Sequence, residues 1–389
     1  GPLLSWGSGM LSRCFPNSFF AYGFFNILNG LVGVFLCGHF ARLFWKENVL
    51  TQFATFLCGF SFAMIYLSRT PMYDLCAAVG FLGFSGFYHL YCRENKQKYL
   101  LISILWIAYG SLSRFSIVMG LGAIEMVFLS IIYRRQVLYL VRDFFFIGLG
   151  GIMVNLPWLM GQISVEGEGF IQTFFMDNVY RFIKEPGMGA RAYRDFYTFP
   201  LYVFIGTLPF SPLVLVTLFR RRSWMRIKQD PILLGLLASW LPCLILFSLS
   251  GHVKLGRYIA YVFPGLTVML APLMMGFSDK EKRWINRIGW GSAVFLALLF
   301  AILIIQFSRE SQDGMLLVLA IVSWVMLSML YVLWEYLTVK NLSKNQLIRM
   351  GSVLSILYIA LFSILTRESF SASFLLQIRE AAGIIIHNL

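Results

Sequence analysis

The chain has 389 residues, of which 59% are hydrophobic and 13% charged, and a mean hydropathy of +0.74. An average soluble domain carries about 25% charged residues, and no single water-soluble core hides this much apolar surface, so the composition describes an all-α polytopic membrane protein. The 32 basic and 18 acidic side chains leave a net charge of +14. In the absence of a soluble basic domain, that charge marks cytoplasmic loops and excludes nucleic acid as a partner.

Spans of about 20 apolar residues are needed to cross a bilayer. In chain order, twelve are predicted at roughly 20–41, 50–68, 73–92, 99–113, 116–133, 143–160, 199–219, 232–250, 258–277, 288–307, 314–337 and 350–366. With the N-terminus outside, the basic clusters at 42–46, 93–98, 134–142, 220–228, 280–287 and 340–349 all fall in short inside loops. An outside N-terminus without a visible signal peptide predicts one further helix upstream of Gly1, for thirteen spans in a longer protein. The transmembrane domain is expected over 1–366, followed by a short periplasmic tail at 367–389. Residues 161–198 form the one long outside loop, with room for an amphipathic helix over FIQTFFMDNVYRF. The six cysteines form no CxxC pair and read as inert thiols in apolar runs.

Charges near hydrocarbon are expensive and require a partner or a purpose. Arg69 and Asp74 stand in YLSRTPMYD, Arg114 in SLSRF, Asp177, Asn178 and Arg181 in the long loop, and Lys254, Arg257 and Tyr258 in SLSGHVKLGRY. The topology puts all four clusters on the outside face. Five cations there suit a membrane-tethered anion, for which a lipid-linked phosphate is the natural ligand. Simple snorkelling to headgroups would also account for any single one of them. The neighbouring carboxylates have no use in lipid anchoring. They can accept a proton, orient a cation or hold a divalent metal ion, although the scattered His residues argue no metal site and no cofactor is assigned. Glu125, near the middle of the fifth span, reads either as a proton-relay group of a transporter or as a hydrogen-bonded structural carboxyl.

Several of these motifs resemble one family. YLSRTPMYDLCAAVGFLGF is similar to a GRxxxxD stretch opening a helix, SLSRF to an LTKGP-like turn with Arg114 at the Lys, and FFMDNVYRF to an ENxxRF loop. RDFYTFPLYVFIGTLPFSP is similar to a PFYYY…LLPW stretch, and SLSGHVKLGRYIAYVFPGL to SxSxxKLPRYxLPxxP, the most specific match. Over about the first 280 residues the chain resembles the bacterial polyprenyl-phosphate-sugar glycosyltransferases of GT-C fold, in the protein O-mannosyltransferase-like superfamily. Its greatest similarity is to the 4-amino-4-deoxy-L-arabinose lipid A transferases.

That resemblance implies a GT-C-like helical bundle in the bacterial inner membrane, with its active face periplasmic. A sugar would pass from undecaprenyl phosphate to a lipid A-like or other lipid or protein acceptor. It implies Arg181, Lys254 and Arg257 at the phosphate, Tyr197 and Tyr258 as its hydrogen-bond donors, and Arg69 with Asp74 shaping the site. The family's acidic catalytic residue belongs to its first periplasmic loop, which would lie upstream of Gly1, so no catalytic residue is assigned within the chain and transfer by this chain alone is in question. Gly256 replaces the signature Pro, and Arg191 stands near the place of a loop His. The competing readings are a transporter or flippase of lipid-linked substrates, resting on Glu125 and the helix count, and an assembly partner without substrate.

Overall fold

The computed structural model describes residues 2–13, 18–69, 72–167, 169–170, 196–207, 210–249 and 256–275. The chain divides into two compact units, 1–277 and 278–389, and the described residues all belong to the first. They form twelve α-helices and a 3-10 turn, with no strand among them. The segments expected at 288–307, 314–337 and 350–366, most of the 161–198 loop and the 367–389 tail lie outside the described residues.

A short helix α1 (Pro2–Ser12) precedes α2 (Ser18–Trp45), followed by α3 (Asn48–Gly59), α4 (Phe62–Arg69), α5 (Tyr73–Glu94) and α6 (Gln97–Ile132). Then come α7 (Val137–Glu166), α8 (Thr198–Gly206), α9 (Ser211–Phe219), α10 (Arg221–Gln229), α11 (Pro231–Leu249), the 3-10 turn Gly256–Tyr258 and α12 (Ile259–Met275). Five of these contain stretches long and apolar enough to cross a membrane: Gly23–Trp45, Tyr73–Glu94, Gln97–Ile132, Val137–Glu166 and Pro231–Leu249. The segment read as a span at 50–68 is two helices. Ser61 separates them, donating to the Cys58 carbonyl at 2.9 Å and accepting the Met64 N–H at 3.3 Å, as an N-cap residue does. Helix α7 also runs past its expected end at 160, so that 161–166 are helical rather than loop.

The core is built around α5. Residues Asp74 to Cys92 are all buried, as expected for a helix apolar on every face. Its glycines make that possible. A Cβ on Gly80 would stand 2.4 Å from the Gly110 Cα, and Cβ atoms on Gly83 and Gly86 would enter the rings of Trp106 and Phe40. Small residues at such positions let helix backbones approach where lipid supplies no hydrophobic drive.

Helix α6 is interrupted at Arg114, whose φ of −145° and ψ of 81° are not helical. A Cβ on Gly122 would sit 2.7 Å from Ile107 Cδ1, and one on Gly110 3.2 Å from Val118 Cγ1. Along a straight helix Ile107 and Gly122 would be about 22 Å apart. The two arms therefore double back as a hairpin, with Arg114 at its tip, matching the expected separate segments at 99–113 and 116–133. At the other end, Lys46, Asn95 and Arg134 adopt positive φ just past α2, α5 and α6. Asn95 closes α5 by donating its N–H to the Tyr91 carbonyl at 2.8 Å.

Candidate functional site

The first turn of α5, the tip of the α6 hairpin and the 3-10 turn before α12 meet at one end of the bundle. Asp74, fully buried, is the carboxylate at their junction. Arg114 Nε lies 3.4 Å from its Oδ1, and Arg257 Nε 3.1 Å from its Oδ2. Both arginine side chains keep 30% exposure, so the cluster has a buried anion and two partly open cations, for a net charge of +1. The N-terminus of α5 adds its positive dipole end.

Aromatic rings frame the two cations. Tyr73 lies 5.9 Å from the Arg114 guanidinium and Tyr258 5.7 Å from that of Arg257. Tyr258 stacks on Phe247 of α11 at 4.9 Å, and Phe199 of α8 reaches the same ring at 5.5 Å. Tyr261, one turn into α12, packs on Phe247 and interacts electrostatically with Asp74 and Arg114. Asn26 of α2 donates to the Met72 carbonyl at 3.2 Å and accepts from the Cys76 thiol at 3.5 Å, tying α2 to the start of α5.

The polar satisfaction of this cluster is incomplete. Both oxygens of Asp74, the Nε atoms of Arg114 and Arg257 and the hydroxyl of Tyr261 are buried without a hydrogen bond of good geometry. Buried polar atoms are hydrogen-bonded almost everywhere in folded proteins, so five such atoms at one junction need an explanation. The opposite end of α5 shows the contrast. There Asp143, equally buried, accepts from Tyr88 Oη at 3.2 Å, Tyr91 Oη at 3.4 Å, Arg142 Nη2 at 2.8 Å and Arg142 Nε at 3.2 Å. Arg135 lies 3.7 Å from it and over the Tyr91 ring at 4.1 Å. The Asp143 cluster is a closed structural tie; the Asp74 cluster is an ionic arrangement with donors and acceptors to spare.

Asp74, Arg114, Arg257 and Tyr258, singled out in the sequence, are thus brought together. Arg69 ends α4, and its side chain lies outside the described residues, as do Asn178, Arg181 and Lys254. Tyr197 immediately precedes α8 and is 64% exposed. Glu125 is 1% exposed and accepts from the Ser85 hydroxyl at 2.5 Å, which links α6 to α5. Among the described residues no group of three or more His, Cys, Asp and Glu side chains could hold a metal ion. Sequence reasoning passed over Tyr73, Tyr261 and Asn26. An Asn in an apolar span carried the only usable signal, because a polar amide there requires a partner.

No family model and no curated protein sequence matches the chain. Among solved structures, the crystal structure of ArnT from Cupriavidus metallidurans in the apo state is similar, with a TM-score of 0.65 and 14% sequence identity. The crystal structure of ArnT from the same organism bound to undecaprenyl phosphate is similar with a TM-score of 0.67 and 15% identity. In both cases the likeness covers 94% of this chain and 65% of the ArnT chain, so this chain spans about two thirds of the length of the proteins it resembles. The chain has the fold of ArnT, a polytopic helical membrane fold.

Proposed function

We propose that the chain is an integral-membrane glycosyltransferase domain that binds a sugar linked to polyprenyl phosphate, undecaprenyl phosphate in particular, and serves its transfer to a lipid A-like or other acceptor at the periplasmic face. The observation that carries this reading is the Asp74–Arg114–Arg257 cluster, two partly exposed guanidiniums anchored on a buried carboxylate at one end of an ArnT-like bundle. The ArnT neighbour's complex with undecaprenyl phosphate supports the choice of ligand.

In the transfer, an acceptor hydroxyl oxygen bonds to the anomeric carbon as the bond from that carbon to the phosphate oxygen breaks. Attack from the face opposite the phosphate inverts the anomeric centre. The hydroxyl proton leaves to a base, for which the described residues assign no candidate. The phosphate departs as polyprenyl phosphate, and Arg114 and Arg257 would stabilise its growing negative charge. Arginine suits that task because its planar donors match phosphate oxygens, and because it stays charged at any working pH. Asp74 would hold both guanidiniums in place before the ligand arrives, and Arg181, Lys254, Tyr197 and Tyr258 would complete the phosphate site with Asn178 and Arg69 at its margin. Two cations around one anion leave a net charge of +1, which matches the single negative charge of a sugar phosphodiester and distinguishes this end of the bundle from a site for neutral lipids.

The test is direct binding of undecaprenyl phosphate to the purified full chain in detergent. Charge-assisted hydrogen bonds contribute about 1.5–3 kcal/mol each, so Arg114→Ala and Arg257→Ala should each weaken binding roughly tenfold to a hundredfold. Unchanged affinity in both variants, with thermal midpoints near that of the parent, would overturn the assignment.

A further inference from the structure

We infer that α10 is a binding helix for anionic phospholipid headgroups, at the end of the bundle opposite the Asp74 cluster. Helix α11 separates the two places. Its C-terminal turn carries Phe247 beneath Tyr258, and its 19 residues, about 28 Å of helix, lead back to Pro231 directly after α10.

Three observations support this inference. First, α10 lies against the bundle by one narrow edge: Ser223 and Ile227, four residues apart, are 3% and 1% exposed. Arg226 fastens it further by donating to the Pro272 carbonyl of α12 at 2.9 Å. Second, the remaining faces combine exposed cations with exposed apolar groups. Arg221, Arg222, Arg226 and Lys228 are exposed, and beside them are Trp224, Met225 and, just before the helix, Phe219, which is 83% exposed. Third, these cations outnumber the acidic residues beside them in the sequence. Residues 196–229 contain no Asp or Glu, and Asp230 is occupied in accepting the Ile232 N–H at 2.9 Å at the start of α11.

A soluble basic loop would not need a tryptophan, a methionine and a phenylalanine on its open face. A helix lying in the headgroup layer uses both kinds of side chain, the rings reaching to the acyl boundary and the cations pairing with phosphates. The Trp224 indole N–H donates to the Leu218 carbonyl, which fixes the ring beside the helix instead of leaving it free to turn into solvent. The charge complement therefore selects an anionic lipid over a zwitterionic one.

The experiment uses the full chain in nanodiscs of phosphatidylcholine, with and without phosphatidylglycerol, reading the thermal midpoint and the phosphatidylglycerol retained in native mass spectra. The parent should gain stability and retain phosphatidylglycerol. The variant Arg221→Gln/Arg222→Gln/Lys228→Gln should lose most of that gain and hold phosphatidylglycerol about a hundredfold more weakly, at about 1 kcal/mol per cation. Arg221→Lys/Arg222→Lys should behave as the parent, and high salt should erase the parent's gain. Arg42→Gln/Lys46→Asn/Lys98→Gln, which removes three cations from other loops, should retain the response. Should the Gln variant fail to fold, the salt titration and the Lys variant decide the matter on their own. Equal responses of the parent and the Gln variant would overturn the inference in favour of a soluble acidic partner, and so would equal losses in both triple variants.

Discussion

Asp74 and Asp143 are both fully buried, both face two arginines and both belong to the α5 surroundings, yet their polar satisfaction differs. Asp143 gathers four hydrogen bonds, and one of its arginines, Arg135, is only 8% exposed. Asp143→Asn should therefore leave a buried cation behind and cost about 3 kcal/mol. It should lower the thermal midpoint clearly while leaving undecaprenyl phosphate affinity within about twofold. Asp74→Asn should cost less, about 1–2 kcal/mol, because both of its arginines keep contact with solvent. It should nevertheless weaken ligand binding about tenfold, since the guanidiniums lose the anchor that aims them. Tighter binding in Asp74→Asn would show that the aspartate opposes the ligand by charge rather than positioning its partners. The sequence exposed these charged residues because charge in an apolar chain is conspicuous. Which arginine meets which aspartate was hidden, since Asp74, Arg114 and Arg257 are far apart in the chain and only the packed helices bring them together. Tyr261 was hidden for another reason: a tyrosine in an apolar helix looks like core until its ring is found against Phe247, which also stacks on Tyr258.

Among the elements, the α6 hairpin sets the position of Arg114, and its setting depends on close approach to α5. Gly110 stands one turn before the break, and Gly80 of α5 faces its backbone. In Gly80→Ala the new Cβ would meet the Gly110 Cα at 2.4 Å and the Trp106 carbonyl oxygen at 3.0 Å. Backbone cannot rotate aside as a side chain does, so the helices must separate, at about 1–3 kcal/mol. Arg114 would then retreat from Asp74. The expected result is a lower thermal midpoint together with weaker undecaprenyl phosphate binding. Gly120, on the second arm, has no atom within 4 Å of its would-be Cβ. Gly120→Ala should be neutral or slightly stabilising, by no more than about 1 kcal/mol, as Ala replaces Gly in a helix. Equal losses in the two variants would show that the hairpin does not depend on this contact. The elements themselves were largely legible: long apolar runs gave α2, α5, α7, α11 and α12, and SLSRF marked the α6 tip. The break at Ser61 was not, because one serine in an apolar run reads as a tolerated helix residue. Nor was α10, whose nine mostly polar residues carry the signature of a loop until Ser223 and Ile227 are seen to share a buried edge.

At the scale of the whole molecule, the bundle has two chemically different ends. One carries the Asp74 cluster, with the start of α8 close by through Phe199, and the other carries the positive-φ turns after α2, α5 and α6 together with α10. From the distribution of basic residues we propose that the second end is cytoplasmic, which would put the proposed phosphate site on the outer face, where a lipid-linked sugar would be met. Single cysteines test this orientation. The five described native cysteines are buried and should not compete for a membrane-impermeant maleimide; Cys14, outside the described residues, is replaced by Ser. In that background, Tyr197→Cys, at a position now 64% exposed, should react in intact cells once the outer membrane is permeabilised. Lys228→Cys, exposed on α10, should react only after the inner membrane is opened as well. The reverse pattern would invert the protein, placing α10 outside and the Asp74 cluster at the cytoplasmic face. The phosphate site would then meet its ligand from the cytoplasmic side, and transfer to a periplasmic acceptor would be excluded even if Arg114 and Arg257 bound undecaprenyl phosphate as expected.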